Sequence, residues 1–188
     1  GIAIIILLNI SFLSYNSHSF VFLLSTSLLI PSLLLFIINF SFGEILLGDG
    51  GSYFLGFVIS VLCIISSQYN IMNSFHVACI IFYPAFEIFF TFFRRIIMDK
   101  SSPFLPDDKH LHFMLFAIIK KNILFKKNSN TFKNSASALI ILSLFAAINL
   151  FMMIFKESIN FSSFFIFLIL IYLMMYYLVK KLSSITSK

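Results

Sequence analysis

Six apolar runs separated by short polar links limit what this chain can become. The second, residues 19–40, reads SFVFLLSTSLLIPSLLLFIINF and carries no charged side chain. A helix needs about 20 such residues to cross the hydrocarbon core of a bilayer. The other runs lie at 1–14, 53–68, 72–93, 136–155 and 160–179. Only 11% of the 188 residues are charged, against about 25% in a soluble domain. The expectation is an all-α polytopic membrane bundle of about six transmembrane helices, forming one membrane domain over 1–188. Pro31 lies inside the second run, where a membrane helix tolerates it if neighbours satisfy the freed carbonyl. The first run is short, as the remnant of a longer helix would be. It has no basic segment before it and no small-residue cleavage site after it, so it does not read as a signal peptide. Cys63 and Cys79 both fall within apolar runs and read as buried thiols.

The net charge of +6 is clustered. Nine of the thirteen Lys and Arg residues lie in the stretch RRIIMDKSSPFLPDDKHLHFMLFAIIKKNILFKKNSNTFK, residues 94–133. Positive loops stay on the cytoplasmic side, so a cytoplasmic loop is expected over 94–135. Counting crossings from there puts links 69–73, 15–18 and 156–159 outside. Link 41–52 and the tail with Lys180, Lys181 and Lys188 fall inside, and the tail's own charge agrees. The glycine-rich link at 48–52 thus shares a membrane face with the basic loop. The KKNILFKK strip at 120–127 reads as a surface that meets anionic lipid. No soluble aromatic-and-basic platform is present, so nucleic acid is not an expected partner.

Three polar motifs interrupt the grease. In LGDGGS, Asp49 stands among Gly48, Gly50 and Gly51, with Ser52 placed to N-cap the third helix. An Asp there serves as a turn residue, or as a Mg²⁺ ligand, since Mg²⁺ is typically held by one or two carboxylates plus substrate phosphates. In SPFLPDDKHLHFML, Pro103 and Pro106 keep the chain out of a helix. His110 and His112 then share one face if the backbone is extended, and would diverge in a helix. They suit a phosphate as donors or a metal as acceptors; zinc would need a further ligand from Asp107 or Asp108. The motif reads equally as a solvated loop with incidental histidines. In FYPAFEIFFTFFRR, Glu87 lies within a membrane run, where a bare carboxylate costs ~2.5–3.5 kcal/mol. It must face the bundle interior, pair, or be protonated. Pro84 marks the natural kink of this span. Arg94 and Arg95 fit a cytoplasmic helix end without further function, with phosphate contact as the second reading. His18 and His76 fall near the outer face and read as structural.

NFSFGEILLGDGGSYFLGF, YPAFEIFFTFFRR and SPFLPDDKHLH, in that order and spacing, resemble the polyprenyl-phosphate N-acetylhexosamine-1-phosphate transferases. These belong to the superfamily of the phospho-MurNAc-pentapeptide translocase. The likeness covers about residues 39–116. It implies transfer of a sugar 1-phosphate from a UDP-sugar to polyprenyl (undecaprenyl) phosphate with release of UMP, an early membrane step of cell-surface glycan synthesis in the bacterial cytoplasmic membrane. By the match, Asp49 takes the Mg²⁺-ligand position. His110 and His112 take the histidine motif at the nucleotide-sugar end, and Asp107 the acidic residue before it. Gly50, Gly51, Arg94 and Arg95 become candidate substrate-binding residues. The expected cofactor is Mg²⁺. The expected partners are UDP-N-acetylhexosamine, a polyprenyl phosphate lipid and the membrane, with a second copy of the chain as a candidate homodimer partner.

Three departures qualify the match. The translocase carries three consecutive histidines where this chain has HLHF, which favours the hexosamine branch. Glu87 stands where related sequences carry Glu or Asp. The tandem-aspartate motif and the asparagine-plus-DG motif of the family are missing, and full members are roughly twice this length. The resemblance therefore implies a C-terminal part, inactive alone for want of the nucleophile-activating carboxylates. The alternatives are a non-enzymatic membrane protein, such as part of a carrier with Glu87 as its ion or proton site, and a degenerate gene without activity.

Overall fold

The apolar runs become helices in a computed structural model of the chain, which describes residues 1–43, 47–102, 107, 109–122 and 128–185. The helices are α1 (Ile2–Ser14), α2 (Ser19–Phe42), α3 (Gly48–Gln68), α4 (Ser74–Ile80), α5 (Phe82–Phe93), α6 (Leu111–Lys121), α7 (Asn130–Ile154) and α8 (Phe161–Ile185). The described residues contain no strand. Four helices are long and apolar enough to cross a membrane, or five if α4 and α5 make one broken span. The architecture is thus an all-α polytopic membrane bundle. The run expected to supply a sixth span forms α1, a 13-residue helix.

Local chemistry sets the helix ends. The His18 ring accepts from the Val21 N–H at 3.4 Å and caps α2. Gly43, at φ 69°, closes α2 with its N–H on the Asn39 carbonyl at 2.8 Å, a left-handed position that glycine adopts at little cost. Asn73 caps α4 through the His76 N–H at 2.7 Å. The fourth apolar run is not one helix: it breaks at Ile81, three residues before Pro84. Proline cannot donate to the carbonyl four residues back and clashes with it, so the kink falls where Pro84 predicts. The second piece runs on through Arg94–Met98 in a wider turn, with the Asp99 N–H on the Arg94 carbonyl at 3.0 Å. The expected loop at 94–135 is correspondingly shorter, and α6 forms inside it. Pro103, Pro106, Asp108, Lys126, Lys127 and Lys188 lie outside the described residues.

The chain divides into two compact units, Gly1–Ile81 with Leu142–Phe164, and Phe82–Ile141 with Phe165–Lys188. In the first, α1 is the inner helix: Leu7 and Ile10 are fully buried, and Asn9 reaches α7 to donate to the Asn149 side-chain oxygen at 3.1 Å. His76 stacks on Phe161 with centroids 4.0 Å apart, and His18 lies 4.2 Å from Tyr69, so both act structurally. Cys63 and Cys79 are buried free thiols. Small and polar residues sit inside, Ser14, Ser25 and Ser66 among them, while Phe20, Leu23, Ile30 and Leu34 of α2 point outward. That inversion is unfavourable in water and natural in lipid, where tight helix contact uses small residues and buried polar groups must pair.

Candidate functional site

In the second unit, α5 and the wider turn Arg94–Met98 that extends it carry a polar stripe on a phenylalanine-rich helix. Glu87, Thr91 and Arg94 are spaced four and three apart, which stacks them on one face. All three are buried. One Glu87 oxygen accepts the Leu111 N–H at 2.9 Å and faces His110 Nδ1 at 3.3 Å. The other accepts the Tyr172 hydroxyl of α8 at 2.5 Å. Thr91 Oγ1 also lies 3.3 Å from His110 Nδ1. The intramembrane carboxylate is therefore satisfied by three partners. Leu111 is the first residue of α6, so Glu87 caps the helix that carries the histidine motif and meets its positive end.

One turn further along, Arg94 pairs with Asp99 and Asp107. Asp107 also accepts the Lys109 N–H at 3.1 Å, a local Asx turn. Lys109 Nζ reaches Asp99 at 3.2 Å. Burial works against the Asp99 charge, but the Lys109 hydrogen bond and the Arg94, Lys109 and Lys180 charges hold its carboxyl below the ordinary aspartate value of 3.8. Arg94 thus clamps both ends of the segment between α5 and α6. Arg95 is buried as well, and its carbonyl accepts the Ser101 N–H at 3.0 Å. These contacts give Arg94 and Asp107 structural partners in addition to the substrate roles the motifs suggest.

The extended backbone expected at the histidines is found at His110 alone. His110 is the N-cap of α6, with φ −65° and ψ 149°, and His112 lies in the first turn. Their rings are 5.9 Å apart and nearly parallel, at 19°. The non-helical ψ at His110 swings its side chain off the helical track, so a spacing that diverges inside a helix converges at its start. His112 is exposed. Desolvation, then the neighbouring His110, depress its pKa below the usual imidazole value of 6.5, with Glu87 acting in the opposite sense.

In the first unit, the glycine motif is not a free hairpin. The helix α3 starts at Gly48, five residues before the expected 53, and Asp49 lies in its first turn. Ser52 is not the cap. It sits inside α3 and donates to the Gly48 carbonyl at 2.5 Å and the Asp49 carbonyl at 3.2 Å. Gly48 has φ 68°, which sets the entry of the chain into the helix. A Cβ at Gly50 would meet nothing within 4 Å, whereas one at Gly51 would come 2.8 Å from the Leu47 side chain. Gly50 therefore leaves the backbone open to approach, and Gly51 serves packing.

The fit of Mg²⁺ can be judged from these residues. Among the described residues no three His, Cys, Asp or Glu side chains gather to hold a metal. A metal shared with substrate phosphates needs only one or two carboxylates. Asp49 is exposed, beside first-turn N–H groups whose orientation favours phosphate. The donor set fits one carboxylate of such a site.

Thr91, Asp99, Lys109, Tyr172 and Tyr176 escaped the sequence reading. The signal for Thr91 was its place four residues after Glu87 and three before Arg94. Tyr172 and Tyr176, spaced four apart on α8, were a second such stripe.

No protein-family model matches the chain. No solved structure matches it. Over part of its length, the chain is similar to curated undecaprenyl-phosphate N-acetylglucosaminyl 1-phosphate transferases. It is 31% identical over 74 residues to the undecaprenyl-phosphate alpha-N-acetylglucosaminyl 1-phosphate transferase of Thermotoga maritima, which is 39% of this chain and 24% of the relative. It is 31% identical over 121 residues to the probable undecaprenyl-phosphate N-acetylglucosaminyl 1-phosphate transferase of Bacillus subtilis, 62% of this chain and 33% of the relative. The chain spans a quarter to a third of the curated relatives it matches.

Proposed function

We propose that this chain is part of a membrane transferase that moves an N-acetylhexosamine 1-phosphate from a UDP-sugar onto polyprenyl phosphate and releases UMP. The observation that carries the reading is the 31% identity, over part of the chain, to two undecaprenyl-phosphate N-acetylglucosaminyl 1-phosphate transferases. In the transfer, an oxygen of the lipid phosphate attacks the phosphorus bearing the sugar. The bond from that phosphorus to the bridging oxygen breaks, and UMP leaves with the electron pair. Bound Mg²⁺ would neutralise the diphosphate and the charge developing on UMP. Asp49 holds one coordination position, with Gly50 giving close backbone access. His110 and His112 bind the nucleotide-sugar, and Asp107 and Arg94 keep their segment in place. Arg95 is a further phosphate-binding candidate. The isolated chain is expected to be inactive, because its sequence lacks the tandem-aspartate motif that the resemblance implies as the source of the nucleophile-activating carboxylates.

The test is transfer of labelled sugar phosphate from UDP-N-acetylglucosamine to polyprenyl phosphate by the full-length protein in detergent. Asp49→Asn should lower kcat by roughly 10²-fold or more, as loss of one preorganised charge-stabilising group does elsewhere. Near-normal turnover of that variant at saturating Mg²⁺ would sink the assignment. So would a protein that depends on Glu87 yet is indifferent to Asp49, His110 and His112, the pattern expected of a carrier.

A further inference from the structure

Among the described residues, Glu87 is a buried carboxylate whose position links three elements, and its partners define a task. Its Oε1 receives the Leu111 N–H at 2.9 Å and lies 3.3 Å from His110 Nδ1, while Tyr172 anchors Oε2 at 2.5 Å. An ionised carboxylate accepts hydrogen bonds only. The imidazole nitrogen facing it must therefore carry the proton. In a neutral imidazole this leaves Nε2 as the acceptor, on the ring edge turned away from Glu87. Thr91 Oγ1, also 3.3 Å from Nδ1, can accept part of the same hydrogen bond but does not select a tautomer, because a hydroxyl both donates and accepts. Glu87 Oε1, which already accepts the Leu111 N–H, makes the choice.

We propose that Glu87 is a positioning residue: it holds His110 as the Nδ1–H tautomer and pins the amino end of α6, so that His110 presents Nε2 to the ligand beside His112. The proposal rests on the transferase reading for the identity of that ligand, a hydroxyl of the nucleotide-sugar that donates to Nε2, but its structural part stands independently. Tyr172 serves to keep the carboxylate from rotating away. A carboxylate that orients a histidine this way commonly matters 10–100-fold to the chemistry the histidine performs, by analogy with metal-ligating histidines.

The test is ¹⁵N NMR of histidine-labelled full-length protein in detergent, with the His110 signal assigned by its loss in His110→Asn. The wild type should show His110 as the Nδ1–H tautomer, and Glu87→Gln should convert it to a mixture. Transfer by Glu87→Gln should fall about 10–100-fold in kcat with little change in KM for polyprenyl phosphate, and Glu87→Asp should recover part of the loss. A wild-type His110 found as the Nε2–H tautomer overturns the proposal, as does a tautomer unchanged in Glu87→Gln. The wild-type spectrum decides the matter even if Glu87→Gln fails to fold. If the protein transfers nothing while the tautomer shifts as expected, the positioning role stands and the transferase reading falls.

Discussion

Replacing Arg94 by methionine tests the architecture of the histidine segment most directly. The Arg94 side chain is 1% exposed and pairs with Asp99 and Asp107, whose side chains are 23% and 9% exposed. Methionine conserves much of the volume and removes both pairs. Asp99 keeps Lys109 at 3.2 Å and reaches water, so its loss is partly offset. Asp107 keeps the Lys109 N–H and is nearly enclosed, so it carries most of the penalty. Breaking a buried pair from one side typically costs about 3–5 kcal/mol, because a buried charge is left behind. Arg94→Met is expected at the lower end of that range, since Asp99 stays hydrated. Arg94→Lys keeps the charge but loses the fork that serves two carboxylates at once, a cost of about 1.5–3 kcal/mol for one charged hydrogen bond. Adding Asp107→Asn to Arg94→Met should restore part of the loss, because no buried charge then remains. Reversible unfolding of the detergent-solubilised protein by added denaturing detergent measures all four corners of the cycle. An Arg94→Met cost below about 1 kcal/mol, or strictly additive effects of the two substitutions, would refute the account.

Other outcomes follow from the same geometry. Gly48→Ala should destabilise by about 1–2 kcal/mol through backbone strain alone, since φ is 68° and a Cβ would touch nothing. Gly50→Ala should stabilise α3 by up to about 1 kcal/mol while lowering transfer, a stability–activity split visible by running both assays on one preparation. Asn9→Leu should cost about 0.6–1.7 kcal/mol, the span measured for interhelical hydrogen bonds in a membrane protein, and pairing it with Asn149→Leu should recover much of that in the same unfolding assay. The Asp99 carboxyl is held below 3.8, so its contribution is fully present above that pH and is lost as pH falls through the lower folded value. The stability gap between wild type and Asp99→Asn should be constant near neutrality and close in acid; a gap that widens on acidification would contradict the ion-pair account.

Much of the polar chemistry was visible along the chain as residue types, but its partners were not. Of the three options open to Glu87, facing the bundle interior, pairing or protonation, the structure shows it buried and hydrogen-bonded. That its partners are Leu111, His110 and Tyr172, at separations of 24, 23 and 85 residues, required the fold. The histidine spacing pointed to a shared face through an extended backbone; His110 has that conformation as the cap of α6, while His112 lies in the helix, and the sequence held no marker of where α6 begins. Ser52 misled because a serine before an apolar run reads as a cap, while Gly48 and its positive φ had already admitted the chain to the helix.

The sequence alone determined that this is a membrane bundle and where most of its helices run, because a span depends on the summed transfer free energy of consecutive side chains. It determined the break near Pro84 for the same local reason, a missing N–H. Only the tertiary structure decided which polar groups meet: that Arg94 ties Asp99 to Asp107, and that Glu87 caps α6 under His110. Those choices depend on where separate helices lie in space, and in a bilayer interior each buried charge is held by whichever partner the fold brings within hydrogen-bond reach.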